Sequence, residues 1–330
     1  MPIVFVKNNH GRLMSDEPLL VDHSSGWWNS ICAGDFDEDG DTDYILGNLG
    51  LNTRLKASPS EPLCIYAKDF NADGRIDPVL CYYVQGKNHI YPTRDELIRQ
   101  MSAVRLRFQT YKEYASVSFD ETFTKDELSD AYVVKSECFE TSYLENKGGG
   151  KFQRKQLPIE CQFAPVYGML VGDFNEDGHP DILMAGNSYS TEVSTGNYDA
   201  MQGLLLAGNG KGDFRPLLSR QTGFNADADS KGMAQINLGG HATEILVANN
   251  NDKLKSYSVV QQKGIIARVS QDDVHMLVYK ADGTSFKQEL FLGSGYLSAS
   301  SRTICFSEPI ERVEIENTKG MKRIIKATSR

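Results

Sequence analysis

The stretch "AGDFDEDGDTDYILGN", Ala33 to Asn48, places an aspartate at every second position from Asp35 to Asp43 and then turns apolar. Negative charge crowded beside a hydrophobic run has two readings: a solvated acidic turn, or a cage for a cation. Repetition argues for the second. "KDFNADGRIDPVLCY" begins at Lys68 and "GDFNEDGHPDILMAG" at Gly172, and all three stretches follow D-F-[DN]-x-D-G-x-x-D before an apolar run. One acidic turn arises by chance. Three that share the Phe, the Gly and the closing Asp form an internal repeat.

The spacing suits calcium, a hard cation that takes six to eight oxygens at about 2.3–2.6 Å. Side chains at loop positions 1, 3 and 5 converge on one point. Gly40, Gly74 or Gly178 at position 6 permits the sharp turn, position 7 offers a backbone carbonyl, and position 9 closes the cage. The candidate ligands are therefore Asp35, Asp37, Asp39, Asp41 and Asp43; Asp69, Asn71, Asp73, Arg75 and Asp77; and Asp173, Asn175, Asp177, His179 and Asp181. The first set holds the most carboxylates and is expected to bind tightest. Three ions would take the formal charge from −9 to −3. An EF-hand needs a bidentate Glu at position 12 and flanking helices. Position 12 is Leu46, Leu80 or Met184, and Pro78 directly follows the second loop. The loops are expected to join strands.

A second repeat interleaves with the first. "VFVKNNHGRL" (from Val4), "SYLENKGGGKF" (from Ser142) and "LLLAGNGKGDF" (from Leu204) each read as strand, Asn/Gly turn and return strand. A fourth loop position is degenerate: "KGMAQINLGGHATEILVANNN" (from Lys231) keeps the strands of "YGMLVGDFNEDGHPDILMAGN" (from Tyr167) but carries Asn237, Gly239 and His241 in place of ligands. The strand pair is thus the repeated unit and the metal an accessory. Four-stranded units with short connections predict a β-propeller, whose inner strands, buried on both faces, are continuously apolar. The motif resembles the FG-GAP/VCBS repeat, the calcium-bearing blade of integrin α-chain propellers and of many bacterial surface proteins, over roughly residues 1–260. "GNLGLNTRLKAS", "LPIECQFAPVYG" and "GNYDAMQG" resemble the C-terminal region of large VCBS-repeat proteins of Bacteroidetes type. In that family positions 1, 3, 5 and 9 supply calcium side chains.

Between the second and third loops lies a longer interval than between the first two. It holds a helical insertion, about 90–132. Thr93 with Glu96 forms a capping box ahead of Leu97, Met101, Val104, Phe108 and Tyr111 at helical spacing, and Thr124 with Glu127 forms another. From 261 to 330 short alternating strands with frequent turns suggest a small β-sandwich. There "ELFLGSGYLSASS" resembles an element of the ASPIC/UnbV domain, with Ala299 where Gln is usual. The expected fold is all-β: a propeller of FG-GAP blades, complete or incomplete, with a helical insertion and a C-terminal sandwich-like domain. With four loop positions against the usual seven or so blades, the chain is expected to be the C-terminal part of a longer polypeptide or to be completed by a partner segment, the alternative being a self-closing propeller with few blades.

Composition narrows the function. A formal charge of −9 with no Lys/Arg cluster argues against nucleic acid and anionic membranes. No apolar run reaches the roughly 18 residues of a membrane span, and the start lacks a signal-peptide pattern. An extracytoplasmic location follows only from the resemblance. The six cysteines show no zinc or CxxC spacing and read as buried thiols. There is no HExxH, G-x-S-x-G or P-loop, and "KGGGK" reads as a hairpin turn. Trp27 and Trp28 read as packing residues. The loop "GNSYSTEVSTGNYDAMQG", with Tyr189, Glu192, Tyr198 and Asp199, is the best candidate rim site. The expected function is a calcium-stabilised, non-catalytic module binding a glycan or protein. The alternative is a calcium-dependent polysaccharide lyase.

Overall fold

The computed structural model describes all residues except 240–241, 261–263, 294, 296–297, 308–309 and 327–330, and gives only the backbone of 15–18, 260, 264 and 307. His241 of the degenerate copy and Tyr296 and Leu297 of the C-terminal motif lie outside the described residues. The chain is mostly β, in several small antiparallel sheets. It forms two compact units, Met1–Trp27 with Thr53–Phe139, and Trp28–Asn52 with Glu140–Arg330. Among the described residues no helix is long and apolar enough to cross a membrane.

The first unit opens with a two-stranded ribbon, β1 (Val4–Asn9) and β2 (Arg12–Leu20), turned at His10 and Gly11. The second unit begins with β3 (Ser30–Gly34) and β4 (Asp43–Gly47), joined by the first aspartate loop. The chain then supplies β5 (Leu63–Lys68), β6 (Asp77–Val84), β7 (Lys87–Ile90) and β8 (Tyr132–Ser136) of the first unit, in the order β7-β6-β5-β8. On its return, β9 (Ser142–Asn146) pairs with β4, and β10 (Phe152–Gln156) pairs with β9. One four-stranded sheet, β10-β9-β4-β3, is therefore assembled from an aspartate-loop hairpin and a glycine-turn hairpin on either side of the insertion.

The plan recurs without interruption in β11 (Val166–Gly172), β12 (Asp181–Gly186), β13 (Leu204–Gly208) and β14 (Phe214–Leu218). A third sheet has β15 (Ser230–Gly239), β16 (Ala242–Asn249) and β17 (Lys255–Val260). β11 packs against both β3 and β15. The period-2 geometry of a strand explains the sequence of the middle sheet. Ile182, Met184 and Leu206 face a core shared with Phe36, Ile45 and Tyr143, while Leu183, Ala185 and Leu205 face one shared with Met233, Ile245 and Val247. Both faces are covered, so β12 and β13 are buried at every residue.

Register locates the change in the degenerate copy. Gly168 opposes Ala185 and Gly172 opposes Asp181; likewise Gly232 opposes Ala248 and Ile236 opposes Glu244. Between these matched positions the fourth copy has one residue fewer, and there the strands go on pairing, Asn237 with Thr243 and Gly239 with Ala242; Glu244 takes the place of the closing Asp.

The C-terminal region supplies β18 (Gly264–Arg268), β19 (Asp273–Lys280), β20 (Ser285–Glu289), β21 (Thr303–Ser307), β22 (Ile310–Asn317) and β23 (Lys322–Lys326). β18 pairs with β21, the other four form a sheet ordered β20-β19-β22-β23, and Ile265, Met276, Val278, Phe306, Val313 and Ile315 share one core.

The helical segment is not one continuous helix, contrary to the spacing from Leu97 to Tyr111. It is α1 (Arg94–Gln100), α2 (Val104–Arg107), α3 (Tyr111–Ser116), α4 (Phe119–Thr122) and α5 (Lys125–Leu128). Capping boxes at Thr93/Glu96, Thr110/Glu113, Ser118/Glu121 and Thr124/Glu127 each restart a short helix, because the hydroxyl satisfies the first free N–H groups. Leu97, Met101, Val104 and Phe108 join Cys64, Val79 and Cys81 of the sheet in one core, whereas Tyr111 is 62% exposed.

Candidate metal centre

All three aspartate loops connect antiparallel strands and share one backbone conformation. Position 4 is left-handed in each (Glu38, Ala72 and Glu176, φ 58°, 58° and 62°), and the glycine at position 6 has φ of 96°, 86° and 84°. A side chain is strained at the latter angles, which accounts for the repeated glycine. In each loop that glycine's N–H donates to the first aspartate, at 3.1 Å to Asp35 Oδ2, 2.8 Å to Asp69 Oδ2 and 3.1 Å to Asp173 Oδ2. The Phe N–H at position 2 donates to the ninth residue, Asp43, Asp77 or Asp181, at 3.2, 3.2 and 2.9 Å.

The ninth aspartate also ties the loop to the next hairpin. Asp43 accepts from the Tyr143 hydroxyl at 2.7 Å and from the Asn146 N–H at 2.7 Å, and Asp181 accepts from the Gly208 N–H at 2.9 Å. Burial, partly offset by these bonds, pushes Asp43 up to about 6 and Asp181 up to about 7. Asp77, in the first unit, is raised in the same direction by burial. The closing position is thus a structural latch with lone pairs to spare.

The loops differ in how their charge is met. In the second and third, an amide stands at position 3: Asn71 Nδ2 donates to Asp73 Oδ2 at 3.2 Å, and Asn175 Nδ2 to Asp177 Oδ2 at 2.9 Å. The position-7 N–H donates to the position-5 aspartate in all three loops, from Asp41 at 3.0 Å and from Arg75 and His179 at 2.9 Å each, so the amide at position 3 is the difference. The first loop has Asp37 at position 3 and no such amide. Carboxylate oxygens of Asp35, Asp37 and Asp39 lie within 4.8 Å of one another. Asp35 Oδ1, Asp37 Oδ1 and Asp41 Oδ1 are buried without a hydrogen-bond donor. Burial first, with repulsion from Asp39 and Asp37 adding to it, pushes Asp35 up to about 7. Asp37 and Asp41 are also raised, by burial and then by Asp39. Such a set opposes its own ionisation, and a cation placed among the oxygens reverses that balance. All-oxygen donors fit a hard divalent ion. Asp35, Asp37 and Asp39 would hold it.

Side chains outside the repeat fix this loop in place. Glu38 Oε1 lies 2.6 Å from His179 Nδ1 of the third loop and 2.5 Å from Lys280 Nζ at the end of β19; Lys280 Nζ is 3.0 Å from His179 Nδ1. Lys280 and Glu38 side chains are only 4% and 10% exposed. The Lys287 N–H of β20 donates to Asp35 Oδ2 at 2.8 Å. The C-terminal sheet therefore completes the surroundings of the first loop. Sequence reasoning missed Glu38, Lys280 and Lys287; a lysine ending the largely apolar strand "VHMLVYK" was the available signal. A cavity of about 580 Å³ opens beside the loop, lined by Cys32, Asp35, Met169, Phe174, Lys287 and Arg302 among others.

The candidate rim loop presents Tyr189 and Val193 to solvent, 41% and 99% exposed. Tyr189 donates to the Asp227 carbonyl at 3.1 Å, and Ser188 pairs with Tyr198. Trp27 stands edge-on to Phe139 at 5.2 Å. Gly148, Gly149 and Gly150 of "KGGGK" all have positive φ in the β9–β10 turn. Comparison with protein-family models and with curated proteins finds no match to this chain.

Proposed function

We propose that the chain is a calcium-stabilised, non-catalytic binding module of a bacterial surface or secreted protein, built as an FG-GAP-type propeller region followed by a sandwich-like C-terminal domain. The observation that carries this reading is the first loop: three buried carboxylate oxygens with no donor, in a backbone conformation shared by two further loops. Ca2+ at these positions would hold successive hairpins in register, and the second and third loops would take ions with weaker affinity because an amide replaces one carboxylate. A propeller arrangement is supported by β11 packing against both β3 and β15, with both faces of the middle sheet covered. The ligand is a glycan or protein engaged by exposed loops such as that bearing Tyr189 and Val193.

The experiment is a glycan array run with and without Ca2+, beside an assay for unsaturated products from uronate polymers. Calcium-dependent retention of a glycan class with no product absorbance is the expected result. Calcium-dependent product formation would replace a binding module with a lyase.

A further inference from the structure

Four of the six cysteines have their own surroundings: Cys32 lies against Met169 Sδ, Cys138 against the Ser25 carbonyl, Cys161 in the core of the second unit, and Cys305 against the Asn237 amide. Cys64 and Cys81 differ from these in standing across a strand pair from each other. They are directly opposed in the antiparallel register of β5 and β6, so both side chains leave the same face of the sheet. Residues so opposed have Cα atoms about 4.5–5.5 Å apart, inside the range of about 4.4–6.8 Å that a disulfide spans. Both thiols are free, and Cys64 Sγ donates to the Pro62 carbonyl at 3.6 Å. The connection between their strands is the second aspartate loop, Asp69 to Asp77.

We infer that Cys64 and Cys81 are a disulfide-forming pair that staples the hairpin carrying the second aspartate loop. The oxidant is another disulfide, small-molecule or protein. The Cys64 thiolate attacks it, forms a mixed disulfide and releases one thiolate. Cys81, giving its proton to solvent, then attacks Cys64 Sγ and releases the second. The pair loses two electrons and two protons, and the oxidant becomes two thiols. The order of attack follows from access: Cys64 is 5% exposed and Cys81 0%, so an oxidant reaches Cys64 first. Leu97 and Phe119 cover the pair in the folded core, so oxidation occurs during folding or when that cover opens locally. Closing the loop restricts the unfolded chain and stabilises the hairpin.

The test is to refold the full reduced chain in a mixture of oxidised and reduced glutathione, alkylate the remaining thiols and map the peptides. The inference expects one dominant cross-linked peptide joining Cys64 to Cys81, with the other four cysteines alkylated. It also expects a rise of about 5 °C in melting temperature that a dithiol reductant reverses. Alkylation of all six cysteines, or cross-links joining other pairs, would overturn the pairing; an oxidised chain that melts no higher would overturn the stapling. Cys81→Ser should lose the peptide and the rise together. If that variant does not fold, thiol titration of the wild-type chain decides instead: oxidation should remove two of the six thiols, and a loss of none would overturn the pairing.

Discussion

The charge state of Asp35 should make the metal-free protein weaken as pH rises, the reverse of ordinary acid denaturation. Asp35 is 1% exposed, and burial together with Asp39 and Asp37 lifts its carboxyl from 3.8 to about 7. The folded state therefore keeps a proton that the unfolded chain has released. The corresponding stability is fully present below about 3.8 and is lost as pH rises through about 7. The gap amounts to about 4 kcal/mol against the ionised form. Asp43 and Asp181 add to the same slope, so the contribution of Asp35 is isolated by comparing wild type with Asp35→Asn. The asparagine oxygen can still accept from Gly40 and Lys287, while the charge is gone. In chelator, urea unfolding at about pH 8 should find the variant more stable than wild type by about 2–4 kcal/mol, and near pH 4 the two should converge. In saturating Ca2+ the order should invert, because wild type gains binding energy that the variant lacks. A variant less stable than wild type in chelator at the higher pH would refute the reasoning.

Lys280→Met should destabilise by about 2–4 kcal/mol in urea unfolding, since it strands the buried Glu38 carboxylate. Adding Glu38→Gln should recover part of that loss, and strict additivity would show that the pair is not coupled. Arg323 holds Asp273 at about 2 through a two-pronged contact, so this pair contributes about 2 kcal/mol above pH 4 that disappears as pH falls towards 2. Arg323→Gln should abolish that part of the acid limb in an acid-unfolding titration. Asn237→Ala, in the degenerate fourth copy, should leave the calcium-induced shift in melting temperature unchanged, whereas Asp37→Ala should reduce it.

Repetition made the loops and hairpins legible: a motif recurring with its Phe, Gly and closing Asp encodes a backbone conformation, and the three loops adopt the same one. Continuous apolar runs revealed strands covered on both faces, as in "DILMAG". Partner choice between strands was not legible. β4 and β9 are neighbours across the whole insertion, and nothing in "DYILG" or "SYLEN" states that pairing. The helical segment was misread because apolar spacing continued across a break at 101–103, where α2 starts without a side-chain cap, and across the restart that Thr110 imposes through local capping. The contacts of Glu38 with His179 and Lys280 escaped sequence reasoning because each residue is ordinary alone; their meeting depends on where the C-terminal sheet lies. The unequal charge balance of the loops was visible in Asp37 against Asn71 and Asn175, but the orphaned oxygens were not.

The most direct measurement is anomalous diffraction from crystals grown with calcium in excess, refined for occupancy at each aspartate loop. The account predicts a strong peak among Asp35, Asp37 and Asp39, with equal or lower occupancy at the loops beginning at Asp69 and Asp173. Ordered first-loop carboxylates with no peak between them would contradict it.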